Sequence, residues 1–458
     1  MAANSQKAIE YARTHNSEFL GDLKELLRIP SISTDPQHQA DMMKAAEWLK
    51  NQLGMLGCEH LEIFPTQRHP VVYADYLKAG PAAQTVLIYG HYDVQPVDPL
   101  DLWETDPFNP VEKNNELSGR GASDMKGQVI ASIKALESIL NAGPLPVNVK
   151  FMLEGEEEIG SPNLDNFMNK HKDLLACDVV LNPDAGMIAP QVPTIVYALR
   201  GLAYFELRVY GPAHDLHSGI FGGVVHNPAQ ALCELIAGMH DKQGRVTLPG
   251  FYDHVRPLSA AEREELSHLP TDEHFYKEKT GVPKIWGDPE FTPGERVGAR
   301  PTLEVNGILS GFTGAGTKTV IPAWAMAKIS SRLVPDQTPE EVDHQLRQYL
   351  ADNAPATIRW ELTTFGGGPP CFTERDLPAT RALVKALESV WGKPVVYKRE
   401  GGSIPVVASV RSILGAPSVL TGFGLPDDNA HAPNEKLDLP TWNKGIDALI
   451  HFFYNLED

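Results

Sequence analysis

Only four cysteines occur in the 458 residues, Cys58, Cys177, Cys233 and Cys371, and no two stand close enough to make a CxxC pair. That scarcity argues against a disulfide framework and against a thiolate metal site, and a reducing compartment is expected. No run of about 18 apolar residues occurs, which excludes a membrane-spanning helix. The opening stretch, MAANSQKAIEYARTHNSEF, lacks the basic start, apolar centre and small-residue cleavage site of a secretory signal. A cytoplasmic location is therefore the expectation. Basic residues are outnumbered, 40 Lys and Arg against 59 Asp and Glu, for a net charge of −19. That balance disfavours nucleic acid or anionic lipid as a partner. It leaves open that some carboxylates are neutralised by bound cations.

A chain of this length exceeds one hydrophobic core and predicts two or three domains. Four short apolar runs each lead into a polar cluster. Val86 to Tyr89 precedes His91 and Asp93, and Val149 to Leu153 precedes Glu154 to Glu158. Val179 to Leu181 precedes Asp184, and Ser418 to Leu420 precedes the loop reaching His431. Such runs read as strands buried on both faces. Met125 to Asn141, with Val129, Ile133, Leu136 and Leu140 on one face, reads as an amphipathic helix. Leu164 to Leu175 and Leu377 to Val390 read as two more. Alternation of strands and helices predicts an α/β domain with a largely parallel sheet, whose ligands bind at the carboxyl ends of the strands.

The middle of the chain differs. Gly201 to Tyr210, Ala325 to Val334 and Ile358 to Phe365 read as strands, the last alternating as in a sheet exposed on one face. Thr338, Pro339 and Glu341 make a capping box at a helix start, and Asn227-Pro228 opens another helix. The expected organisation is a catalytic domain over 1–198 and 375–458, interrupted by an inserted α+β domain over 199–374. The polar, Pro/Gly-rich segment from Leu258 to Gly298 reads as irregular.

Taken singly, the polar clusters admit ordinary readings. His91 could be a structural histidine after a strand, and Asp124 the N-cap of the helix that follows it. Glu154 to Glu158 could be a solvated acidic loop, and Asp184 part of a simple turn. Together His91, Asp124, Glu158, Asp184 and His431 supply two imidazoles and three carboxylates from five segments that converge on one sheet edge. Zinc accepts both ligand types. Asp93, two residues from His91 on an extended segment, can enter the same cavity and support the imidazole. Glu157 adjoins a ligand and remains free to carry a proton.

The segments HYDVQPV, GRGASDMKG, EGEEEIGS, DLHSGIFGG, TVIPAWAMAKISSRLVP, REGGSIPV and AHAPNEK resemble the dinuclear zinc metallopeptidases of clan MH. Within that clan the similarity is to the group of cytosolic non-specific dipeptidases, carnosinases, carboxypeptidase G and aminoacylase. The resemblance runs from about residue 15 onward and implies a zinc-peptidase catalytic domain plus a lid and dimerisation domain. It implies two zinc ions per subunit, with manganese or cobalt as possible substitutes, one on His91 and Asp184, the other on Glu158 and His431. Asp124 would bridge them, followed by a cis peptide bond to Met125. Glu157 would be the general base for a water held between the ions, and Asp93 would orient the first site. His217 would reach the active site of the other subunit of a homodimer formed through the lid, and stabilise the oxyanion. Arg332 would grip the substrate carboxylate, with Asn306, Gly402 and Ser403 as contacts to the substrate backbone.

The implied activity is hydrolysis of amide bonds in dipeptides or small peptides with a free C-terminal carboxylate. An amidohydrolase acting on N-acyl amino acids is the alternative, and an inactive metal- or peptide-binding relative is a third reading. Two departures bear on substrate alone. Met125 stands where many dipeptidases of the group have a second aspartate, and Phe365-Gly366-Gly367-Gly368 lacks a histidine that some animal dipeptidases carry nearby.

Overall fold

The computed structural model describes residues 2–402 and 404–456. The chain divides into two compact units, one comprising Met1–Tyr197, Thr373–Lys398 and Pro405–Asp458, the other Ala198–Phe372 and Arg399–Ile404.

The first unit is built on a mixed sheet. Its strands run in the order Glu59–Phe64, Val71–Tyr76, Asn148–Glu154, Thr85–His91, Val179–Asn182, Ser418–Leu420 and Thr194–Leu199. The middle four are mutually parallel, and antiparallel neighbours flank them. All four apolar runs are strands of this parallel centre, and each is fully buried except at Thr85. Their carboxyl ends therefore open on one edge, where the following loops present polar side chains.

The helix after Asp124 spans Lys126–Ala142 and is more deeply placed than a one-faced pattern predicts. Val129, Ile133 and Leu136 are buried as expected, but so are Ser132 beside them and Ala131, Ala135 and Ser138 on the opposite face, while Leu140 is only partly covered. The helices Ala2–Thr14, Asn16–Leu27 and Leu439–Asn455 pack over it. Burial of its serines is possible because each hydroxyl donates to the carbonyl four residues back, Ser132 to Gln128 and Ser138 to Lys134. Gly127 permits the tight entry to this helix, since a Cβ there would stand 2.1 Å from the Ala122 carbonyl oxygen.

Leu164 to Leu175 is two helices rather than one, Leu164–Lys170 and Lys172–Leu175. At the break, the His171 ring packs on Phe64 and Phe167 at 4.5 and 4.8 Å between centroids. The helix expected over Leu377 to Val390 spans Pro378–Trp391 and ends at left-handed Gly392.

The second unit holds a four-stranded antiparallel sheet in the order Thr302–Ser310, Trp324–Leu333, Gly201–Tyr210 and Arg359–Gly368. Alternate residues of Trp324–Leu333 are buried. They pack with Phe205, Leu207 and Val209 against Leu232, Leu235, Leu346 and Leu350 from the helices Pro228–Gly238 and Pro339–Asn353. Asn227 caps the first of these helices and the Thr338/Glu341 box caps the second. The segment expected to be irregular instead contains three short helices, Ala260–Ser267, Glu273–Thr280 and Pro293–Gly298. Ser259, Asp272 and Thr292 cap them, so local capping rather than an apolar stripe organises this stretch.

Candidate metal centre

Five segments of the first unit bring their polar residues to the open edge of the parallel strands. His91 ends its strand, Asp184 follows Val179–Asn182 by two residues, and Glu157 and Glu158 start a short 3-10 turn after Asn148–Glu154. Asp124 precedes the buried helix without capping it, since the N-cap position is Met125. The Asp124–Met125 peptide bond is cis. His431, on the loop after Ser418–Leu420, adopts a left-handed backbone with φ 62°. A non-glycine residue persists in that region where its surroundings over-determine it.

The side chains form two overlapping groups. His91, Asp124 and Asp184 make one and Asp124, Glu158 and His431 the other, with ligand atoms within 4.8 Å of each other in each group. Asp124 divides its oxygens between them. Oδ1 lies 3.2 Å from His91 Nε2, and Oδ2 lies 2.9 Å from His431 Nε2. His431 Nε2 is also 3.3 Å from Glu158 Oε2, and His91 Nε2 is 3.9 Å from Asp184 Oδ1.

Around these groups the supporting contacts are specific. His91 Nδ1 meets the main-chain oxygen of Asp93 at 3.1 Å, with Asp93 Oδ1 at 3.3 Å and itself without a hydrogen bond. Asp93 Oδ2 accepts the Glu158 N–H at 3.0 Å, tying the two groups together. Gln95 donates to Glu158 Oε2 at 2.7 Å. The acidic run resolves into two pairs. Glu154 accepts from the hydroxyls of Tyr89 and Ser161, while Glu156 accepts from the His69 N–H and Asn163. Both are buried and structural. Glu157 and Glu158 face the cluster.

The electrostatics test whether cations suit this donor set. Burial, then the charges of Asp124 and Glu158, push Asp184 up to about 7 against the pull of His91 and His431. Burial, with Asp184 and Glu158 adding to it, pushes Glu157 up to about 9 although His91 opposes the shift. His431 is pushed up to about 10 by its hydrogen bonds to Asp124 and Glu158. Burial works against the ionised form of Asp124, yet hydrogen bonds from His431 and His91 outweigh it and hold its carboxyl below the ordinary range. These carboxylates cannot all ionise together unless positive charge sits among them. Imidazole nitrogens and carboxylate oxygens are also zinc's ordinary ligands. The residues fit two divalent cations that share Asp124.

Sequence reasoning overlooked what holds Asp124. Glu435 is fully buried and accepts four hydrogen bonds. The Arg120 guanidinium donates at 2.7 Å and the backbone N–H groups of Gly121, Ser123 and Asp124 at 2.9, 3.0 and 3.0 Å. Asp428 accepts from the Ser123 hydroxyl at 2.7 Å. Lys126, also buried, donates to the carbonyls of Leu26 and Ile29 at 3.2 and 2.7 Å and anchors the same turn from the other side. Arg120 and Glu435 both lie inside recognisable motifs. What was not legible is that residues 315 positions apart meet.

The remaining expected residues lie in the second unit. His217 caps the short helix Ser218–Phe221, its Nδ1 accepting the Gly219 N–H at 2.9 Å, and it is exposed. Arg332 and Asn306 line one cavity together with Arg200, whose backbone N–H donates to the Gly402 carbonyl. Ser403 lies outside the described residues.

Residues 87–455 match the family described as Peptidase family M20/M25/M40. A Cys-Gly metallodipeptidase of Schizosaccharomyces pombe is 33% identical over 473 residues, covering 100% of this chain and 99% of its own length. A human Beta-Ala-His dipeptidase is 32% identical over 468 residues, covering 98% and 92%. Among solved structures, an M20 family metallo-carboxypeptidase from Sulfolobus solfataricus superposes with a TM-score of 0.84 at 34% identity, covering 96% of this chain and 99% of its own. Human carnosine dipeptidase 1 superposes with a TM-score of 0.81 at 32% identity, covering 99% and 98%.

Proposed function

The chain belongs to peptidase family M20/M25/M40, and from that premise we propose that it hydrolyses dipeptides and other small peptides with a free C-terminal carboxylate, using two divalent cations per subunit. The observation that carries this reading is the divided Asp124 carboxylate, one oxygen toward His91 and the other toward His431. We assign His91 and Asp184 to one ion, Glu158 and His431 to the other, and Asp124 to both, with zinc as the metal and manganese or cobalt as substitutes. When bound, such ions supply positive charge that polarises a carbonyl and lowers the pKa of water.

The chain's own residues do the rest. Asp93 fixes His91 and, through the Glu158 N–H, the neighbouring turn. Glu157 takes the proton of the attacking water and returns it to the leaving amine. Burial and the neighbouring carboxylates raise its pKa, which favours holding a proton, and positive charge at the cluster would oppose that rise. His217, acting from a partner subunit, stabilises the oxyanion. Arg332 binds the substrate carboxylate, with Asn306, Gly402 and Ser403 along the substrate backbone. The second unit is assigned as lid and dimerisation domain; its exposed Ile308, Leu309 and Phe312 offer apolar surface for a homodimer. A cytoplasmic setting accords with four free cysteines. No helix among the described residues is long and apolar enough to cross a membrane.

A substrate panel tests the assignment. Protein reconstituted with zinc, manganese or cobalt is assayed on dipeptides, Cys-Gly and β-Ala-His among them because relatives carry those names, and on N-acetyl and N-succinyl amino acids. Faster turnover of dipeptides is expected. Turnover of N-acyl amino acids alone would overturn the peptidase assignment in favour of a deacylase.

A further inference from the structure

We propose that a cavity in the second unit selects substrates whose C-terminal residue carries a second carboxylate, that is, acidic dipeptides; this rests on the peptidase reading above. The cavity measures about 430 Å³, toward the small end of the range for small-molecule sites. Its charged lining consists of Arg200, Arg296, Arg300 and Arg332 against only Asp288 and Glu304. His240, also in the lining, has its pKa lowered by burial and is neutral at pH 7. Two positive charges are left in excess, in a chain whose net charge is −19.

The guanidinium groups are held by carbonyls and ring faces rather than by direct carboxylate partners, with Asp288 and Glu290 favouring the Arg300 cation from nearby. Arg200 Nε donates to the Gly401 carbonyl at 2.9 Å. Arg296 donates to the carbonyls of Phe291 and Trp286 at 2.9 and 3.1 Å. Arg300 sits over the rings of Tyr252 and Phe291, 4.6 and 4.2 Å from their centroids. Among the described residues none of these three forms an ion pair with a carboxylate. Burial and the charge of Arg332 both act against the cationic form of Arg200, with the charges of Glu400 and Glu304 opposing. Like charges gathered in a partly buried cavity are costly unless an anion joins them.

One arginine suffices for the α-carboxylate every peptide carries, and Arg332 is already assigned to it. Arg200 and Arg300 are therefore surplus to a neutral C-terminal residue. They match a second carboxylate, which guanidinium groups bind with charge-assisted, often bidentate hydrogen bonds. The excess of two charges equals that of a glutamate or aspartate C-terminal residue.

The test compares Ala-Glu with the near-isosteric Ala-Gln on the metal-loaded enzyme. We expect kcat/KM to favour Ala-Glu by about tenfold or more, the difference residing in KM. In Arg200→Met and Arg300→Met that ratio should collapse toward one, and Arg200→Lys should recover part of it. Calorimetry with glutarate, and with propionate as a monoanion control, reads the cavity without catalysis. Glutarate should bind wild type at least tenfold tighter than propionate and lose that margin in Arg200→Met. No Ala-Glu preference, or a ratio unmoved in both variants, overturns the proposal. If neither is cut while other dipeptides of the panel are, the proposal is overturned; if no dipeptide at all is cut, the peptidase reading fails and glutarate binding alone decides the cavity: preference lost in Arg200→Met supports an acidic-ligand site, and absence of binding overturns it.

Discussion

Glu435→Gln perturbs the centre without replacing any residue assigned to a cation. The wild-type carboxylate has one oxygen accepting from Ser123 and Asp124 and the other from Arg120 and Gly121. The amide keeps the shape but turns one acceptor into a donor, so two N–H donors must face an NH₂ group. It also leaves the Arg120 guanidinium, 1% exposed, without its counter-charge. Removing one partner of a buried ion pair costs about 3–5 kcal/mol. Because glutamine retains one good acceptor, about 3 kcal/mol is expected, measured by urea denaturation of the chelated protein. The same substitution loosens the backbone that aims Asp124, and loss of such a support typically lowers metal affinity about 10–100-fold, measured by competition with a chromophoric chelator. Arg120→Met should show a comparable stability loss, and the double variant should lose less than the sum, because each single change orphans the other group. Wild-type stability and metal affinity in Glu435→Gln, or strict additivity in the cycle, would refute the view that this pair positions Asp124.

Three further outcomes are expected. Glu157→Gln should retain its metal while turnover falls by about 10²–10⁴-fold, the usual yield of general acid–base catalysis; metal analysis and single-turnover rates check this. If His217 acts across a subunit interface, mixing inactive His217→Ala with inactive Glu157→Ala should regain activity in hybrid dimers, and no recovery despite verified subunit exchange would count against a shared site. Glu154 is pushed up to about 8, chiefly by burial and then by Asp93, over the opposing hydrogen bonds of Tyr89 and Ser161. The folded chain therefore keeps a proton that the unfolded chain loses from about pH 4.5 upward. This one group lowers stability by about 1.4 kcal/mol per pH unit as pH rises through that window, levelling off above about 8. Glu154→Gln has no such proton, so denaturant melts of the chelated variant between about pH 5 and 8 should show a shallower decline.

Much of this architecture could be read before any coordinates because its signals are local. Four β-branched runs ending in polar clusters marked the parallel strands, and Thr338 with Glu341 marked a helix start that the structure reproduces. The signals that failed are of two kinds. The helices capped by Ser259, Asp272 and Thr292 are short and polar, with Leu266 the single buried apolar residue of the first. Periodicity cannot find them, though their caps were in view. Likewise Lys126–Ala142 displayed one apolar face while its other face is alanine and serine, small enough to be covered by neighbouring helices. The second kind is pairing across long separations. Nothing local announces that Glu435 meets Arg120, or that Arg200, Arg296 and Arg300 share a cavity with Arg332. Residue types were legible there; their convergence required the fold.

The most direct measurement is anomalous diffraction at the zinc edge from crystals of the metal-loaded protein. Two peaks per chain are predicted, each about 2.0–2.2 Å from its ligand atoms, one against His91 and Asp184, the other against Glu158 and His431, with Asp124 touching both. A single peak, none, or two peaks that leave Asp124 without a metal contact would contradict the account.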